Sequence, residues 1–339
     1  MVFFMIEKSP PSNQEIIDCL NTNYSIEVTS LELLPIGADM NASVYKAQAY
    51  EQSYFIKLKN GHNYDISSTI LAQLHEAGIQ QIIPPIKTNN GQPRSQIRGF
   101  TLIVYPYIRG QDGFRSNLTD NQWFILGKTL RKVHEFKVPS PILGQIRKET
   151  YSNKWRMAVR SLSARIEGEP SGDKIALELL KFMKKHRLTI QHLVERSEEL
   201  CQRIQHQSPE FVLCHSDIHA GNVIIANHDA IYIVDWDEPI MAPKERDLMF
   251  IGGGVANVWN NPHEEECFYN GYGKAEINKD ILAYYRHERI VEDIDEYAQN
   301  LLLTIAGGDN RENMYQHFID MFEPRGVVDI AFKTDEGLS

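Results

Sequence analysis

The sequence predicts an α+β protein, with a small antiparallel sheet near its start and a larger, mostly helical remainder. Three observations lead to this class: β-branched, alternating stretches before Pro106, helical apolar periods after it, and one acidic motif set between short apolar strands. Proline cannot donate a main-chain hydrogen bond, so Pro106 marks an exit from the first sheet. We therefore predict a smaller lobe over residues 1–105 and a larger lobe over residues 106–339.

The first helix is predicted from its start signal. Ser12-Asn13-Gln14-Glu15 is a capping box, in which the serine and glutamate side chains bind each other's main-chain N–H groups. Ile16 and Leu20 follow, and this apolar face is expected to pack on the first sheet. That sheet begins with two strand-like stretches, residues 27–34 and 44–49.

Residues 35–43 separate these two strands and are mostly small or polar. A loop of this composition can bind phosphate groups through main-chain N–H groups and hydroxyls, and Asn41 and Ser43 are the candidates for this role. The loop holds one glycine, Gly37, so a plain turn between two strands is the alternative explanation.

The next strand carries a lysine where a charge is costly. Over residues 53–59, alternation sends Ile56 and Leu58 to one face and Lys57 to the other, beside an aromatic residue. A buried ammonium needs an anion, and the α- and β-phosphates of a nucleotide would serve. The alternative is a lysine on the wet face of an edge strand. Lys59 is closer to the strand end and is expected at the surface.

Lys57 also needs a carboxylate that holds its side chain in place. Asp65 opens the next helical pattern, and Glu76 lies near the end of that pattern. A glutamate in the last turn opposes the helix dipole and is expected to point to water, so Asp65 is the preferred partner. A further strand follows, and main-chain groups at its end, from Tyr105 to Tyr107, are the candidates for binding an adenine ring.

Helical patterns dominate the remainder of the chain. Thr119-Asp120-Asn121-Gln122 is a second capping box and starts a helix. The residues predicted to be buried along that helix are Phe124, Leu126, Leu130 and Val133. Residues 160–173 contain two glycines and a proline and are predicted to form a loop. Residues 173–207 predict a long, charged helical stretch with a break near Arg187.

The most informative motif is His215-Ser216-Asp217-Ile218-His219-Ala220-Gly221-Asn222, which is followed by Asp235. Phosphoryl transfer needs an oriented acceptor hydroxyl and neutralised phosphate charge, with little covalent help from the protein. Asp217 can take the hydroxyl proton, while Asn222 and Asp235 offer the oxygen ligands that Mg²⁺ prefers. The β-branched runs between them predict a hairpin, which would bring both ligands to one pocket.

Each fragment of this motif has a structural explanation when it is taken alone. A His-x-Asp pair is often a surface or capping pair, and Asp235-Trp236-Asp237 could be a turn at the end of a strand. In this order and beside strands, the combination is typical of a kinase-type site. Cys214, His215 and His219 suggest zinc, but a predicted strand stands where a helix would be needed to put them on one face. His215 is instead expected to brace the loop by hydrogen bonds.

Composition excludes several classes of protein. The net charge of −10 over 339 residues argues against nucleic-acid binding and favours cationic ligands. No apolar run reaches membrane-spanning length, and the first residues lack the basic start of a signal peptide, so we expect no membrane association and a cytoplasmic location. The 4 cysteines show no paired spacing and are expected to be free thiols. A monomer or weak dimer is expected.

Together these motifs resemble the aminoglycoside phosphotransferase and choline kinase-like group of the protein kinase-like fold. Lys57, the motif of residues 215–222 and Asp235 carry this resemblance. Two further stretches, Asp235-Trp236-Asp237-Glu238-Pro239 and Tyr284-Tyr285-Arg286-His287-Glu288-Arg289, are similar to the ninth class of the aminoglycoside phosphotransferase family. The resemblance spans nearly the whole chain.

The resemblance implies a bilobal fold that binds ATP (or GTP) and Mg²⁺ between its lobes. It also implies spectinomycin, a dibasic aminocyclitol, as the acceptor, with choline, homoserine, a thiosugar or another aminoglycoside as alternatives. Asp237, two residues after a metal ligand, is the first candidate to bind a substrate ammonium. Glu288 and Glu292 are the next candidates, and Trp236 could supply a flat apolar wall.

The sequence departs from the protein kinase pattern in three places. It lacks Gly-x-Gly-x-x-Gly, it has Trp236-Asp237 where protein kinases have Phe-Gly, and it has no activation-loop signature. A protein substrate is therefore not expected. A non-catalytic nucleotide-binding module would lack at least one of Lys57, Asp217, Asn222 and Asp235, and the sequence contains all of them.

Overall fold

The computed structural model describes residues 10–34, 42–60, 66–166, 172–226, 230–256, 258–303 and 310–336. Its helices are α1 (Asn13–Tyr24), α2 (Ile66–Glu76), α3 (Asp120–Glu135), α4 (Ser140–Leu143), α5 (Lys154–Ile166), α6 (Lys174–Lys185), α7 (Arg187–Gln205), α8 (Glu245–Leu248), α9 (Pro262–Tyr272), α10 (Lys279–Leu302), α11 (Asn310–Asp320) and α12 (Val327–Glu336). Its strands are β1 (Val28–Leu34), β2 (Ala42–Ala49), β3 (Ser53–Asn60), β4 (Ser95–Ile97), β5 (Phe100–Pro106), β6 (Gly110–Asp112), β7 (Arg147–Lys148), β8 (Val212–Cys214), β9 (Val223–Ala226), β10 (Ile231–Ile233) and β11 (Ile240–Ala242). The predicted α+β class is confirmed.

The chain divides into two compact units. The first comprises the described residues of Met1–Ser116 and Val223–Glu238, and the second those of Asn117–Asn222 and Pro239–Ser339. The later segment belongs to the first unit because β9 pairs with β6, forming an antiparallel sheet in the order β10-β9-β6. The first unit extends to Ser116 and includes a later segment, so it does not correspond to the lobe predicted over residues 1–105. The boundary after residue 105 stays a prediction.

The main sheet of the first unit is antiparallel, with strand order β1-β2-β3-β5-β4. Ile56 and Leu58 of β3 are buried on one face, in a core that includes Ile16 and Leu20 of α1. The capping box at the start of α1 is present, with Ser12 and Glu15 side chains bound to each other's main-chain N–H groups. Both the helix-on-sheet packing and the alternation along β3 are confirmed. Lys57 therefore lies on the face away from this core.

Helix α10 is central to the second unit, because it packs against α5, α7, α11 and α12. Its inner residues Val291 and Ile294 join a core with Leu193 of α7 and Phe318 of α11. The predicted helical stretch is confirmed with its break, since α6 ends at Lys185 and α7 begins at Arg187. The loop predicted from residue 160 is wrong as far as Ile166, because α5 continues through that position. The glycines that suggested a loop begin only at Gly168, outside the described residues.

Helices α3 and α9 of the second unit approach very closely. A Cβ atom at Gly127 would overlap the carbonyl of Phe268, and a Cβ atom at Gly271 would overlap the carbonyl of Phe124. The capping box that starts α3 is confirmed. The prediction that Phe124 is buried is wrong: its side chain is exposed, and Trp123 is buried instead at 2% exposure. The helix turns its neighbouring aromatic residue inward because the packing with α9 decides which face is covered.

A short sheet of order β7-β11-β8 leads into the motif of residues 215–222. Strand β8 was predicted from its apolar run and is confirmed. The hairpin predicted after the motif is also confirmed, with Ile225 opposite Ile231. Within the described part of the chain, none of the helices has both the length and the apolar composition that crossing a membrane requires.

Candidate active site

In the first unit, Lys57 lies between two carboxylates from the segment after β10. Its Nζ is 2.8 Å from Asp235 Oδ1 and 2.5 Å from Asp237 Oδ2. Lys59 Nζ is 2.8 Å from the other oxygen of Asp237. Two ammonium groups and two carboxylates thus form one cluster on the face of β3 that is turned away from its core.

The charges in this cluster stabilise each other. Burial by itself would lower the pKa of Lys57, but the charges of Asp235 and Asp237 outweigh it and raise that pKa above its ordinary value. Burial likewise opposes ionisation of Asp237, but Lys57 and Lys59 hold the pKa of this carboxyl below its usual range. Both shifts favour the charged forms of Lys57 and Asp237.

Lys57 has two partners that the sequence did not suggest, Asp235 and Asp237. Asp65, the preferred candidate, lies outside the described residues, so its pairing with Lys57 stays a prediction. Glu76 is exposed, as expected for a glutamate in a last turn. Lys59 is the more exposed of the two lysines, as expected, at 23% against 11% for Lys57, and its side chain is paired with Asp237.

Asp235 has an unusual main-chain conformation. Its φ of 62° lies in the left-handed region, which aspartate tolerates better than most residues and which often occurs at functional sites. Its side chain remains 47% exposed although it pairs with Lys57. The next residue, Trp236, is only 3% exposed and donates its indole N–H to Ile233 O at 3.2 Å. Trp236 is therefore a core residue here and does not offer the flat wall that the sequence suggested.

Other predicted nucleotide-binding residues also lie in the first unit. Ser43 is half-buried on β2 opposite Leu58, and Asn41 lies outside the described residues. Tyr105 is half-buried near the end of β5. The main-chain N–H of Tyr107 donates to Ser53 O at 3.0 Å, so adenine would have to use another group of this residue. These roles stay predictions.

In the second unit, the motif of residues 215–222 forms a tight, hydrogen-bonded loop. The main-chain N–H of Asp217 donates to His215 Nδ1 at 3.2 Å, as expected if His215 braces the loop. Asn222 Nδ2 donates to the main-chain oxygen of Asp217 at 2.8 Å. The amide oxygen of Asn222 is therefore the atom turned away from this bond and suited to a metal ion. Asn222 and Asp235 belong to different units, and their sharing of one pocket stays a prediction.

A buried carboxylate anchors the start of this loop. Asp247, which is fully buried, accepts main-chain N–H groups from His215 at 2.9 Å and Ser216 at 2.7 Å. His134 Nε2 lies 3.0 Å from the same carboxylate. Burial opposes ionisation of Asp247, but its bond to His134 leads the effects that lower its pKa. This anchoring holds Ser216 in the left-handed region, at φ 77°, directly before Asp217.

Asp217 itself is bound by an arginine from α10. Arg289 Nη1 donates to Asp217 Oδ1 at 2.7 Å, and Arg289 Nε donates to Asp293 Oδ1 at 2.8 Å. Burial alone would raise the pKa of Asp217, but the hydrogen bond from His219 and the charge of Arg289 hold it well below its usual range. Asp217 is therefore a carboxylate across the physiological pH range.

Asp293 has the opposite electrostatic character. Burial, followed by the charge of Glu292, raises the pKa of Asp293 to about 6, although Arg289 acts against this. A cavity that is partly open to solvent adjoins this carboxylate. Residues lining it include Phe250, Arg289, Asp293, Tyr297, His317 and Met321. The cavity thus has apolar walls and a charged pair, which suits an organic cation.

The three acids predicted to bind the substrate differ in burial and in the residues they contact. Glu288 is buried, and its Oε2 accepts from Arg156 Nη1 and Ser197 Oγ, each at 2.5 Å. It therefore joins α10 to α5 and α7, and we correct its role from substrate ligand to structural ion pair. Both oxygens of Asp237 contact lysines, and its role in substrate binding stays a prediction. Glu292 is half-buried, and its role stays a prediction.

Sequence reasoning missed Asp247, His134, Arg289 and Asp293. Asp247 could have been noticed from its neighbours, because it directly precedes the apolar run Leu248-Met249-Phe250-Ile251. A carboxylate next to such a run is expected to be buried and to need hydrogen-bond partners. Arg289 and Asp293 had the spacing of a helical ion pair, but nothing in that spacing pointed to Asp217. Their function depends on tertiary contacts.

The chain is similar to known phosphotransferases. The model of the Phosphotransferase enzyme family (APH) matches residues 32–277. The chain belongs to this family. Spectinomycin phosphotransferase APH(9)-Ia, in its crystal structure with ADP and spectinomycin, shares 48% sequence identity with this chain. The two structures match with a TM-score of 0.91 over 96% of this chain and 99% of that chain. The AMP-bound complex of spectinomycin phosphotransferase APH(9)-Ia is 46% identical, with a TM-score of 0.87, over 96% and 100%.

Two more distant proteins are also similar to this chain. Protein StrN of Streptomyces griseus is 24% identical over 312 residues, which are 89% of each chain. The aminoglycoside phosphotransferase of Alicyclobacillus acidocaldarius is 15% identical, with a TM-score of 0.59, over 99% of this chain and 100% of that chain. The predicted kinase-like fold and the resemblance to the ninth class of the aminoglycoside phosphotransferase family are both confirmed.

Proposed function

We propose that this phosphotransferase transfers the γ-phosphate of ATP to a hydroxyl group of spectinomycin and so confers resistance to that antibiotic. The observation that carries the proposal is the similarity, along nearly the whole chain, to a spectinomycin phosphotransferase that binds ADP and spectinomycin. The ionised Asp217 and the cluster around Lys57 are present with the chemistry that such a reaction needs. We further propose that the protein acts in the cytoplasm as a monomer or weak dimer.

The cluster around Lys57 supports binding of a magnesium–nucleotide complex. Its ammonium groups and carboxylates now neutralise each other, so the cluster has no net charge to repel either ligand. Mg²⁺ would supply the positive charge for Asp235, which is half-exposed, and the phosphates would supply the negative charge for Lys57. Ser43, Asn41, Tyr105 and Asp65 remain proposed contributors to nucleotide binding, and GTP is the alternative nucleotide.

Asp235 and Asn222 would hold the Mg²⁺ ion through a carboxylate oxygen and an amide oxygen. When bound, the ion would neutralise charge on the phosphate oxygens during transfer. The donor set is suited to Mg²⁺ and poorly suited to zinc, because it contains oxygen atoms and no thiolate or imidazole.

Asp217 would orient the acceptor hydroxyl and take its proton. As the O–H bond breaks, the hydroxyl oxygen forms a bond to the γ-phosphorus, and the bond between that phosphorus and the oxygen of ADP breaks. A carboxylate with a lowered pKa is a weak base, so its main contribution is to direct the hydroxyl and to receive the proton late in the transfer.

The cavity beside Asp293 supports binding of a cationic acceptor. An ammonium group that entered it would meet the carboxylate of Asp293, with Glu292 one residue away on α10. Tyr297 and Phe250 offer apolar walls for the rings. We therefore propose Asp293 and Glu292 as the first cation-binding acids, ahead of Asp237.

The test is a direct assay of the purified protein. ATP, Mg²⁺ and spectinomycin are incubated with the protein, ADP formation is followed, and mass spectrometry identifies the product. We expect spectinomycin to gain one phosphate group, and the variant D217N to make the product at a greatly reduced rate. Choline, homoserine, a thiosugar and other aminoglycosides serve as competing acceptors, and phosphorylation of one of these with spectinomycin unmodified would contradict the proposal.

A further inference from the structure

Arg289 joins Asp217 to a second, largely buried carboxylate. Its Nη1 donates to Asp217 at 2.7 Å, and its Nε donates to Asp293 at 2.8 Å. Two charge-assisted bonds from one planar guanidinium fix direction as well as distance. The guanidinium also lies 5.7 Å from the centre of the Phe250 ring, which borders it on another side. Arg289 therefore holds a defined orientation beside the catalytic carboxylate.

This arrangement makes the two oxygens of Asp217 unequal. Oδ1 accepts the short bond from Arg289. Oδ2 is 3.4 Å from both His219 Nε2 and Asn222 Nδ2, so its contacts, including the hydrogen bond from His219, are longer than the 2.7 Å bond to Oδ1. Oδ2 is thus the oxygen that a hydroxyl group could approach with least competition.

We propose that Arg289, held in turn by Asp293, is a positioning residue that turns Asp217 so that Oδ2 receives the proton of the acceptor hydroxyl. The proposal rests on the proposed function and adds a residue to it. Arg289 and Asp293 both line the cavity described above. A hydroxylated amine whose ammonium binds Asp293 therefore contacts the same carboxylate that fixes Arg289, which couples recognition of the amine to the orientation of Asp217.

The first test compares R289Q and R289K with the wild type on spectinomycin. We expect R289Q to lower kcat about 10- to 100-fold, the range seen when the hydrogen-bond partners that orient metal-binding side chains are removed, and to leave KM for ATP unchanged. R289K keeps the charge but loses the planar fork, and it should recover part of kcat. The matched control is R203Q. It removes an arginine of α7 that is paired with Asp280, a residue of the same helix α10 that carries Arg289. Normal kcat in R289Q would overturn the proposal.

The second test is a double-mutant cycle with D217N. If Arg289 acts through Asp217, R289Q should cost little further activity in the D217N background, because residues that act as a unit are not additive. An equal loss in both backgrounds would overturn the proposal. Unfolding midpoints of the same four proteins, without substrate, check the contact separately. Their shifts should be non-additive, and additive shifts would also overturn it.

Failure of the proposed function is distinguishable from failure of this inference. A wild-type protein that leaves spectinomycin unmodified contradicts the proposed function alone. The cycle is then measured on ATP hydrolysis, in which a water molecule replaces the acceptor hydroxyl and Asp217 keeps the same task. R289Q must again lower the rate of hydrolysis when Asp217 is present and cost little further activity in the D217N variant.

Discussion

At the scale of single residues, two carboxylates near α10 behave in opposite ways although both contact Arg289. Asp217 accepts a hydrogen bond from the terminal nitrogen of the guanidinium and contacts His219, and its pKa is lowered. Asp293 accepts a hydrogen bond from the inner nitrogen, but burial and the charge of Glu292 together outweigh Arg289, and the pKa of Asp293 is raised. One arginine therefore contacts an ionised carboxylate, for which we propose the catalytic role, and a carboxylate that protonates near pH 6.

The first prediction concerns D217N, which removes the proton acceptor but keeps the shape of the side chain. We expect kcat to fall by about 10²- to 10⁴-fold, the usual loss for a positioned acid or base. Nucleotide affinity, measured by calorimetry with Mg²⁺ present, should stay unchanged because Asp217 is not proposed to touch the nucleotide. Near-normal turnover would remove Asp217 from its role.

The second prediction concerns Asp293 and pH. In the folded state its pKa is about 6, above the ordinary value of 3.8, so the folded protein binds more protons than the unfolded chain between these values. This contribution to the free energy of unfolding is present below pH 3.8 and is lost as pH rises through 6. Urea unfolding at pH 4.5 and pH 7.5 should therefore show D293N gaining stability relative to the wild type at the higher pH. A constant difference would contradict the raised pKa.

At the scale of secondary-structure elements, packing between helices depends on a few close contacts. Glycines at positions 127 and 271 allow α3 and α9 to approach until each main chain touches the other. Helix α10 adds a buried charged contact to its apolar packing, since Glu288 joins it to Arg156 of α5 and Ser197 of α7. Close main-chain approach and buried ion pairing thus occur at different helix pairs of the second unit.

The third prediction is that Gly127→Ala destabilises the protein by about 1–3 kcal/mol, the usual cost of overpacking. The added methyl group would overlap the carbonyl of Phe268, a main-chain atom that cannot move without shifting α9. Gly144→Ala is the matched control, because nothing lies within 4 Å of a Cβ there and its φ is −69°. Chemical denaturation measures both variants, and equal effects would refute the close-approach argument.

The fourth prediction separates two roles of Glu288. Glu288→Ala leaves Arg156 buried without its carboxylate and should cost about 3–5 kcal/mol of unfolding free energy. Glu288→Gln keeps hydrogen-bonding atoms and should cost less, while spectinomycin affinity stays normal if the role is structural. A large loss of affinity in Glu288→Gln would restore the role of substrate ligand. The exposed pair of Lys174 and Glu178 supplies the control, for which Glu178→Gln should cost at most about 1 kcal/mol.

At the scale of the whole molecule, charge connects ligand binding to stability. The chain carries a net charge of −10, and the cluster around Lys57 is electrically balanced. A ligand that binds only the folded state stabilises it in proportion to the logarithm of its concentration over Kd. Nucleotide and metal should therefore act together on the unfolding midpoint.

The fifth prediction is that ATP with Mg²⁺ raises the unfolding midpoint, by an amount equivalent to about 2.7 kcal/mol when ATP is at 100 times its Kd. Chelation of Mg²⁺ with EDTA should remove most of this gain, because Asp235 would then face the phosphates without a cation. The variant Asp235→Ala should show little stabilisation with or without EDTA. An unchanged gain in that variant would contradict the metal-binding role of Asp235.

Local patterns were enough to predict several individual elements and the kinase-type motif. The capping boxes at Ser12 and Thr119, the alternation around Lys57 and the hairpin after Asn222 all depend on residues a few positions apart. Short-range sterics and main-chain hydrogen bonding decide such features, so the features can be predicted from neighbouring residues in the sequence. The kinase-type motif is likewise contiguous.

Tertiary structure alone decided which charged groups meet. Lys57 and Asp235 are 178 positions apart, and Arg289 and Asp217 are 72 apart. The sequence pointed to Asp65, Asp237 and Glu288 for roles that packing assigned differently or left untested. An ion pair forms where sheet register and helix packing bring two side chains within about 4 Å. Those distances arise from the burial of many apolar residues at once, which no local pattern records.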